Sequence, residues 1–244
     1  MKISRKAWLA YTEKLRRLND KAAEEMRKWL EKHSLEDSDA MVEFAFQLVD
    51  RFGGASAALA AEMYDATVEL AGLHLPAALP AEVATMAEVA EAVVGAAKLE
   101  NPKLIGSAVG RLTKLAGVDT VITNAMRDNA EWAWIPFGET CAFCISLASR
   151  GWQRASKNAL KKGHARHIHA NCNCIYAVRF DTDSNVEGYD PEAYADLYYG
   201  SAAKNSAGRI NDLRRRLYAE NSEAINAQKR EAYRLREERK KSKT

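Results

Sequence analysis

All four cysteines of this 244-residue chain lie between positions 141 and 174. Together with His169 they form the spacing C-x2-C-x24-H-x2-C-x-C. A C-x2-C turn aims two thiolates at one point, and a second ligand cluster returned by the intervening loop can complete a tetrahedron around zinc. Cys172 and Cys174 are two residues apart, so they face the same side if that segment is a strand. We therefore predict one structural zinc ion per chain, bound by Cys141, Cys144 and two of His169, Cys172 and Cys174.

Two other interpretations of the thiols remain open: a disulfide, or unrelated buried cysteines. No apolar stretch follows the first six residues, so no secretory signal is visible and we expect folding in the cytosol. Cysteines usually stay reduced there, and four of them so close together favour a metal site. His164 and His167 lie in a basic loop and are expected to be solvated instead of binding metal.

The motifs of zinc enzymes are missing from this sequence. It contains no H-E-x-x-H, and no H-x-E precedes the C-x2-C pair. Thr140 stands where a nucleobase deaminase would have proline, and residues 145–170 include no acid that could act as a base. A nucleophile elbow, a P-loop and a G-x-G-x-x-G motif are also missing. We expect a closed structural site and no enzymatic activity.

The rest of the composition favours helices. Prolines number only five, and 47% of the residues are apolar. Aromatic and apolar residues recur at steps of three and four through the first thirty residues: Trp8, Tyr11, Leu15, Leu18, Ala22, Met26 and Trp29. Similar patterns predict helices over 39–52, ended by Gly53-Gly54, and over 57–70 and 81–98. Residues 104–127 supply one or two more.

The sequence changes character near residue 130. Trp132, Trp134 and Phe137 form either the core of a small domain or an exposed contact for a partner; a core is favoured, because so small a domain needs aromatics as well as metal. Residues 174–180 predict a strand, Asp190-Pro191 opens a short helix, and 202–241 form a long charged helix. The predicted fold is mainly α: a helical N-terminal domain (1–129), a small zinc-stabilised α+β domain (130–200) and a basic C-terminal helix (201–244).

Positive charge is concentrated in two regions. Residues 209–244 contain twelve Lys or Arg and six Asp or Glu, and residues 145–170 contain six bases and no acid. We expect the basic loop 150–166 and the C-terminal helix to be the surfaces that would contact DNA. No run of about 18 uncharged apolar residues occurs, so no membrane contact is expected.

The cysteine region resembles a known family. Thr-Cys-Ala-Phe-Cys-Ile-Ser-Leu-Ala-Ser-Arg-Gly-Trp (140–152) and His-Ala-Asn-Cys-Asn-Cys (169–174), running into a strand, are similar to the MuF-like (Mu F type) minor head, or head morphogenesis, proteins of tailed bacteriophages. The version in phages of actinobacteria is the most similar. The family's common form ends His-Pro-x-Cys-Arg-Cys, and Ala170 and Asn173 replace its proline and arginine at non-ligand positions. The tryptophan-bearing first helix and residues 188–194 extend the resemblance over most of 1–200.

This resemblance implies a structural virion component. Such proteins are assembled in the host cytoplasm and reside inside the phage head in few copies. They associate with portal and capsid proteins and help head assembly, genome packaging or delivery. The alternative is a free-standing zinc-stabilised DNA-binding protein, which the two basic regions support, although no helix-turn-helix or two-histidine finger spacing is present.

Overall fold

A computed structural model describes residues 2–33, 35–136, 140–156 and 174–241. The helices in this part of the chain are α1 (Arg5–Leu30), α2 (Ser38–Leu70), α3 (Met86–Ala97), α4 (Pro102–Arg127), α5 (Ala142–Ala148), α6 (Pro191–Tyr199) and α7 (Ser206–Lys241). The strands are β1 (Lys2–Ile3), β2 (Glu131–Ile135), β3 (Gln153–Arg154), β4 (Ile175–Arg179) and β5 (Asn185–Val186). The predicted mainly helical fold is confirmed.

Helices α1, α2 and α4 pack on one another and form the helical body. The predicted stripe of α1 is buried along most of its length, from Trp8 to Met26. The approach of α1 to α4 is closest at Gly106, where a Cβ atom would lie 2.8 Å from the carbonyl oxygen of Ala23. Only glycine lets the two backbones come this near.

The predicted break at Gly53-Gly54 is wrong, because α2 is one continuous helix across both glycines. Gly53 lies against the side chain of Val83, and a Cβ atom there would be 3.1 Å from Val83 Cγ1. Tertiary packing outweighs the low helix propensity of two adjacent glycines, which costs about 1 kcal/mol each. Residues 104–127, for which one or two helices were predicted, form part of the single helix α4.

Residues 73–85, which we call the strap, are not helical. The helix predicted from residue 81 therefore begins later than expected. Asn124 of α4 holds the strap with two hydrogen bonds, accepting from the Leu79 N–H at 3.0 Å and donating to the Leu79 carbonyl at 2.9 Å. The hydroxyl of Thr120 accepts from the Ala81 N–H at 2.9 Å. Because these backbone groups bond to α4 side chains, α3 starts only at Met86. Thr85 precedes the helix and forms a capping box with Glu88 in its first turn.

Strand β2 is the centre of a three-stranded antiparallel sheet, with β3 on one side and β4 on the other. Trp134 pairs with Tyr176 across the β2–β4 ladder. Trp132 and Trp134 both contact the Tyr176 ring edge-on, at centroid distances of 4.6 Å. Both tryptophans are buried, so the prediction that they form core is confirmed. Phe137 lies outside the described residues.

One hydrophobic cluster joins the helical body to the sheet. It includes Trp8 and Tyr64 from the helices and Trp134 and Tyr176 from the strands. Asp128, just after α4, accepts a hydrogen bond from the Tyr64 hydroxyl at 2.8 Å. Burial acts to raise the pKa of Asp128, but hydrogen bonds from Arg127 and Tyr64 outweigh it and lower that pKa. The domain division at residue 130 stays a prediction.

The side chains of the C-terminal helix α7 that are described as packing on other helices lie near its beginning. Leu213 is 1% exposed and packs with Ala142, Ile145 and Tyr198 of α5 and α6. Beyond Leu217, nearly all of the side chains that can be described on α7 are exposed. Within the described part of the chain, no helix is long and apolar enough to span a membrane.

Candidate metal centre

The C-x2-C pair lies at the start of α5. Cys141 is the residue that precedes the helix and is exposed, whereas Cys144 is buried one turn later. Residues three apart on a helix share a face, so both thiols lie on the same side of the first turn. Beside the two cysteines, Ala142 and Ile145 are the α5 residues that pack against α7.

Cys174 is the third candidate ligand that the structure describes. It is buried directly before β4, in the same hydrophobic cluster as Cys144. Both cysteines thus belong to the large hydrophobic cluster that also contains residues of α1, α2, α4 and the sheet. The predicted strand 174–180 is confirmed as β4, Ile175–Arg179, although Cys174 itself lies just before it.

The remaining residues of the motif, His169 and Cys172, fall outside the described residues, as do His164 and His167, which were expected to be solvated. Among the residues that are described, no three His, Cys, Asp or Glu side chains form a group that could hold a metal ion. Cys141, Cys144 and Cys174 therefore do not make a complete site by themselves. The zinc site stays a prediction that needs ligands from the segment 157–173.

Helix α5 is fixed in place by hydrogen bonds from the segment that follows β4. The Tyr189 hydroxyl, whose pKa is raised by burial, donates to the Ala148 carbonyl at 2.8 Å. Trp152 Nε1 donates to Asn185 Oδ1 at 3.2 Å. These bonds hold the C-terminal end of α5 and the turn after it, so the cysteine-bearing first turn is carried on a rigid support.

Arg179, at the end of β4, connects β4 to the start of β2 and to the turn after β4. Its guanidinium donates to Glu131 Oε2 at 2.7 Å and to the Thr182 carbonyl at 3.0 Å. The same group lies 4.8 Å from the centroid of the Trp152 ring. The charge is thus satisfied by a carboxylate, a carbonyl and an aromatic face. Sequence analysis did not single out Arg179, and only its position at a strand end beside an aromatic-rich segment could have indicated it.

The two predicted basic regions differ in how much of them can be described. Arg150 and Arg154 of the loop 150–166 are exposed, and its other bases lie in the segment 157–173. On α7, Arg214 and Arg215 are exposed, while Arg216 donates to the Leu197 carbonyl at 2.7 Å and helps to dock the helix. Exposed arginines on the free side of α7 are suited to phosphate contacts.

Comparison with known protein families shows which family the chain resembles. The profile of the VG15 protein family matches residues 2–201, which include every element from β1 to α6 and both cysteine clusters. The match ends before α7 begins at Ser206. No curated protein and no solved structure matches the chain significantly. The chain therefore belongs to the VG15 protein family, a viral gene family of phages.

Proposed function

We propose that this phage protein is a minor head protein of the MuF-like type, with a structural role in head assembly and in genome packaging or delivery. The observation that carries the proposal is the family match over residues 2–201, which contains the cysteine segments that resemble MuF-like proteins. Membership in a phage family favours a virion role over a free-standing DNA-binding protein. The proposed partners are the portal and capsid proteins, and the proposed location is the interior of the head.

The proposed zinc ion binds Cys141, Cys144 and two of His169, Cys172 and Cys174. The C-x2-C spacing at the start of α5 and the position of Cys174 directly before β4 support this ligand set. Zinc would cross-link α5 to the start of β4. Four protein ligands would leave no open coordination position, so the proposed role is structural and the protein is proposed not to be an enzyme.

Elemental analysis of the purified chain tests the zinc proposal. We expect one zinc per chain, and its loss in Cys144→Ser with partial unfolding of the cysteine region. His74→Gln is a matched control, because His74 is an exposed histidine far from the motif in sequence. The proposal fails if the wild-type protein contains no zinc, or if Cys144→Ser keeps a full equivalent.

The proposed DNA contact is made by the basic loop 150–166 and by the exposed part of α7. Contacts to phosphates release counterions, so affinity falls steeply with salt and shows no sequence preference. A truncation after Leu217 removes the exposed part of α7 and keeps Leu213 in its buried position. We expect the full chain to bind duplex DNA at about 50 mM salt, and the truncated chain to bind more weakly with a shallower salt dependence up to about 200 mM. Equal binding by both chains would exclude a DNA role for this helix.

Portal association is tested by co-purification. A tagged copy of this chain, co-expressed with the portal protein of the same phage, should retain the portal after washing at moderate salt. The capsid protein alone serves as a second bait, and an unrelated portal controls for adhesion. A chain that binds DNA but neither head protein would favour the alternative, a free-standing zinc-stabilised DNA-binding protein.

A further inference from the structure

A cavity of about 300 Å³ lies where four separate segments meet: the start of α1, the end of β2, the turn after β5 and the start of α6. Its volume is at the lower end of the range for small-ligand pockets. Trp8, Tyr189 and Tyr194 supply aromatic walls, Pro136 supplies an apolar one, and Arg5 supplies a cation. Sequence analysis did not find this site, because its residues are spread from position 5 to position 194.

Backbone pairing between the first residues of the chain and the segment around β5 forms the frame of the cavity. Strand β1 pairs in parallel with β5, and the Glu187 N–H donates to the Ile3 carbonyl at 3.0 Å. The Glu187 carboxylate accepts the backbone N–H of Arg5 at 2.8 Å. Gly188 has φ +82, and a Cβ atom there would collide with the Arg5 guanidinium. Glycine at this turn thus allows the guanidinium to lie against the backbone at the cavity's edge.

Two residues that line the cavity carry hydrogen-bonding groups that are unused within the described part of the chain. The Arg5 side chain is exposed and forms no ion pair or hydrogen bond with a described residue, since only its backbone N–H bonds to Glu187. The indole N–H of Trp8 is buried and has no hydrogen-bond acceptor there. A buried donor without an acceptor is costly, and a guanidinium offers five donors suited to a carboxylate.

The charges around the cavity favour an anion that carries an apolar group. Glu187 accepts the N–H at the start of α1, where the positive end of the helix dipole partly offsets its charge. No residue that the structure describes forms a hydrogen bond or ion pair with the guanidinium of Arg5. Aromatic walls favour an aromatic or branched side chain beside the anion.

We propose that this cavity binds an acidic linear segment of a partner protein, in which a carboxylate pairs with Arg5 and a neighbouring aromatic side chain enters between Trp8 and Tyr194. The exposed position of Arg5 at the rim gives an extended segment access to the interior. This binding site is separate from the candidate zinc ligands and from the basic surfaces proposed for DNA, and it does not depend on the proposed function.

The test uses the full-length protein and N-acetyl-phenylalanine, a carboxylate joined to one aromatic ring. N-acetyl-phenylalaninamide is the uncharged control, and acetate is the control without a ring. Binding is followed through the indole N–H signal of Trp8 in two-dimensional NMR. We expect a saturable shift with the acid, and at least about tenfold weaker binding for each control.

Two variants connect this binding to the cavity. Arg5→Gln changes an exposed side chain and should weaken binding of the acid about tenfold or more, with the fold retained. Arg215→Gln, at an exposed arginine on α7, should bind like the wild type. The proposal is overturned if the acid does not bind, if the amide or acetate binds equally well, or if Arg5→Gln binds as tightly as the wild type.

Discussion

Leu213→Ala is expected to undock the C-terminal helix from the helix that carries the C-x2-C pair. Leu213 is 1% exposed and is the most deeply buried residue that α7 contributes to its small cluster with α5 and α6. Truncating a buried leucine to alanine costs about 2–5 kcal/mol, depending on how far the site can collapse. Because this cluster is small and lies near the surface, we expect a loss in the free energy of unfolding near the lower limit, about 2–3 kcal/mol.

The assay is urea unfolding of the purified protein, followed by circular dichroism and by limited proteolysis of α7. Tyr218→Ala is the matched control, because Tyr218 is 45% exposed on the same helix; it should change the free energy of unfolding by about 0.5 kcal/mol or less. Earlier cleavage within α7 of Leu213→Ala would show that the docked turns have been released. A loss below about 1 kcal/mol, or equal effects of the two substitutions, would refute the docking of α7 on α5.

Three further predictions address the helical body and its pH dependence. Gly106→Ala should destabilise the protein by about 1–3 kcal/mol in urea unfolding, because its Cβ would meet the Ala23 carbonyl; an unchanged or higher stability would contradict this. Gly95→Ala, in α3, should instead stabilise by up to about 1 kcal/mol, because no described atom other than those of its chain neighbours and its own helix backbone lies within 4 Å of the added Cβ; a loss of stability would contradict this. Asp128→Asn should cost about 1–3 kcal/mol at pH 7, through loss of charged hydrogen bonds. The lowered pKa of Asp128 means that its stabilisation is fully present above the unfolded pKa of about 3.9 and disappears as pH falls through the folded value. Parallel unfolding curves from pH 7 to pH 2 check this, and a difference from wild type that persists at the lowest pH would contradict it.

The helices with a strong stripe were predictable, and the boundaries set by tertiary contacts were not. The stripe of α1 and the Asp190-Pro191 start of α6 follow from local sequence alone. Gly53-Gly54 resembles a helix end, yet the packing of Gly53 on Val83 keeps α2 continuous. The helix predicted from residue 81 begins only at Met86. A local signal for this start was present, since Thr85 is followed three residues later by Glu88, the pattern of a capping box.

The candidate site was predictable in its chemistry but not in its surroundings. The cysteine spacing predicts zinc bound by Cys141, Cys144 and two of His169, Cys172 and Cys174, and this stays a prediction because His169 and Cys172 lie outside the described residues. The cavity at Arg5 could not be predicted, because β1 and β5 are two residues long and carry no periodic pattern. Their parallel pairing joins the chain's second residue to position 185, and only the assembled fold shows it.

The location of the protein in assembling heads tests the central claim most directly. The chain is co-expressed with the portal and capsid proteins of the same phage, proheads are separated on a density gradient, and the fractions are treated with protease before quantitative mass spectrometry. A minor head protein should sediment with the proheads, in far fewer copies than the capsid protein, and should resist protease until the proheads are opened. A chain that stays at the top of the gradient, or that is digested from intact proheads, would contradict the proposed role.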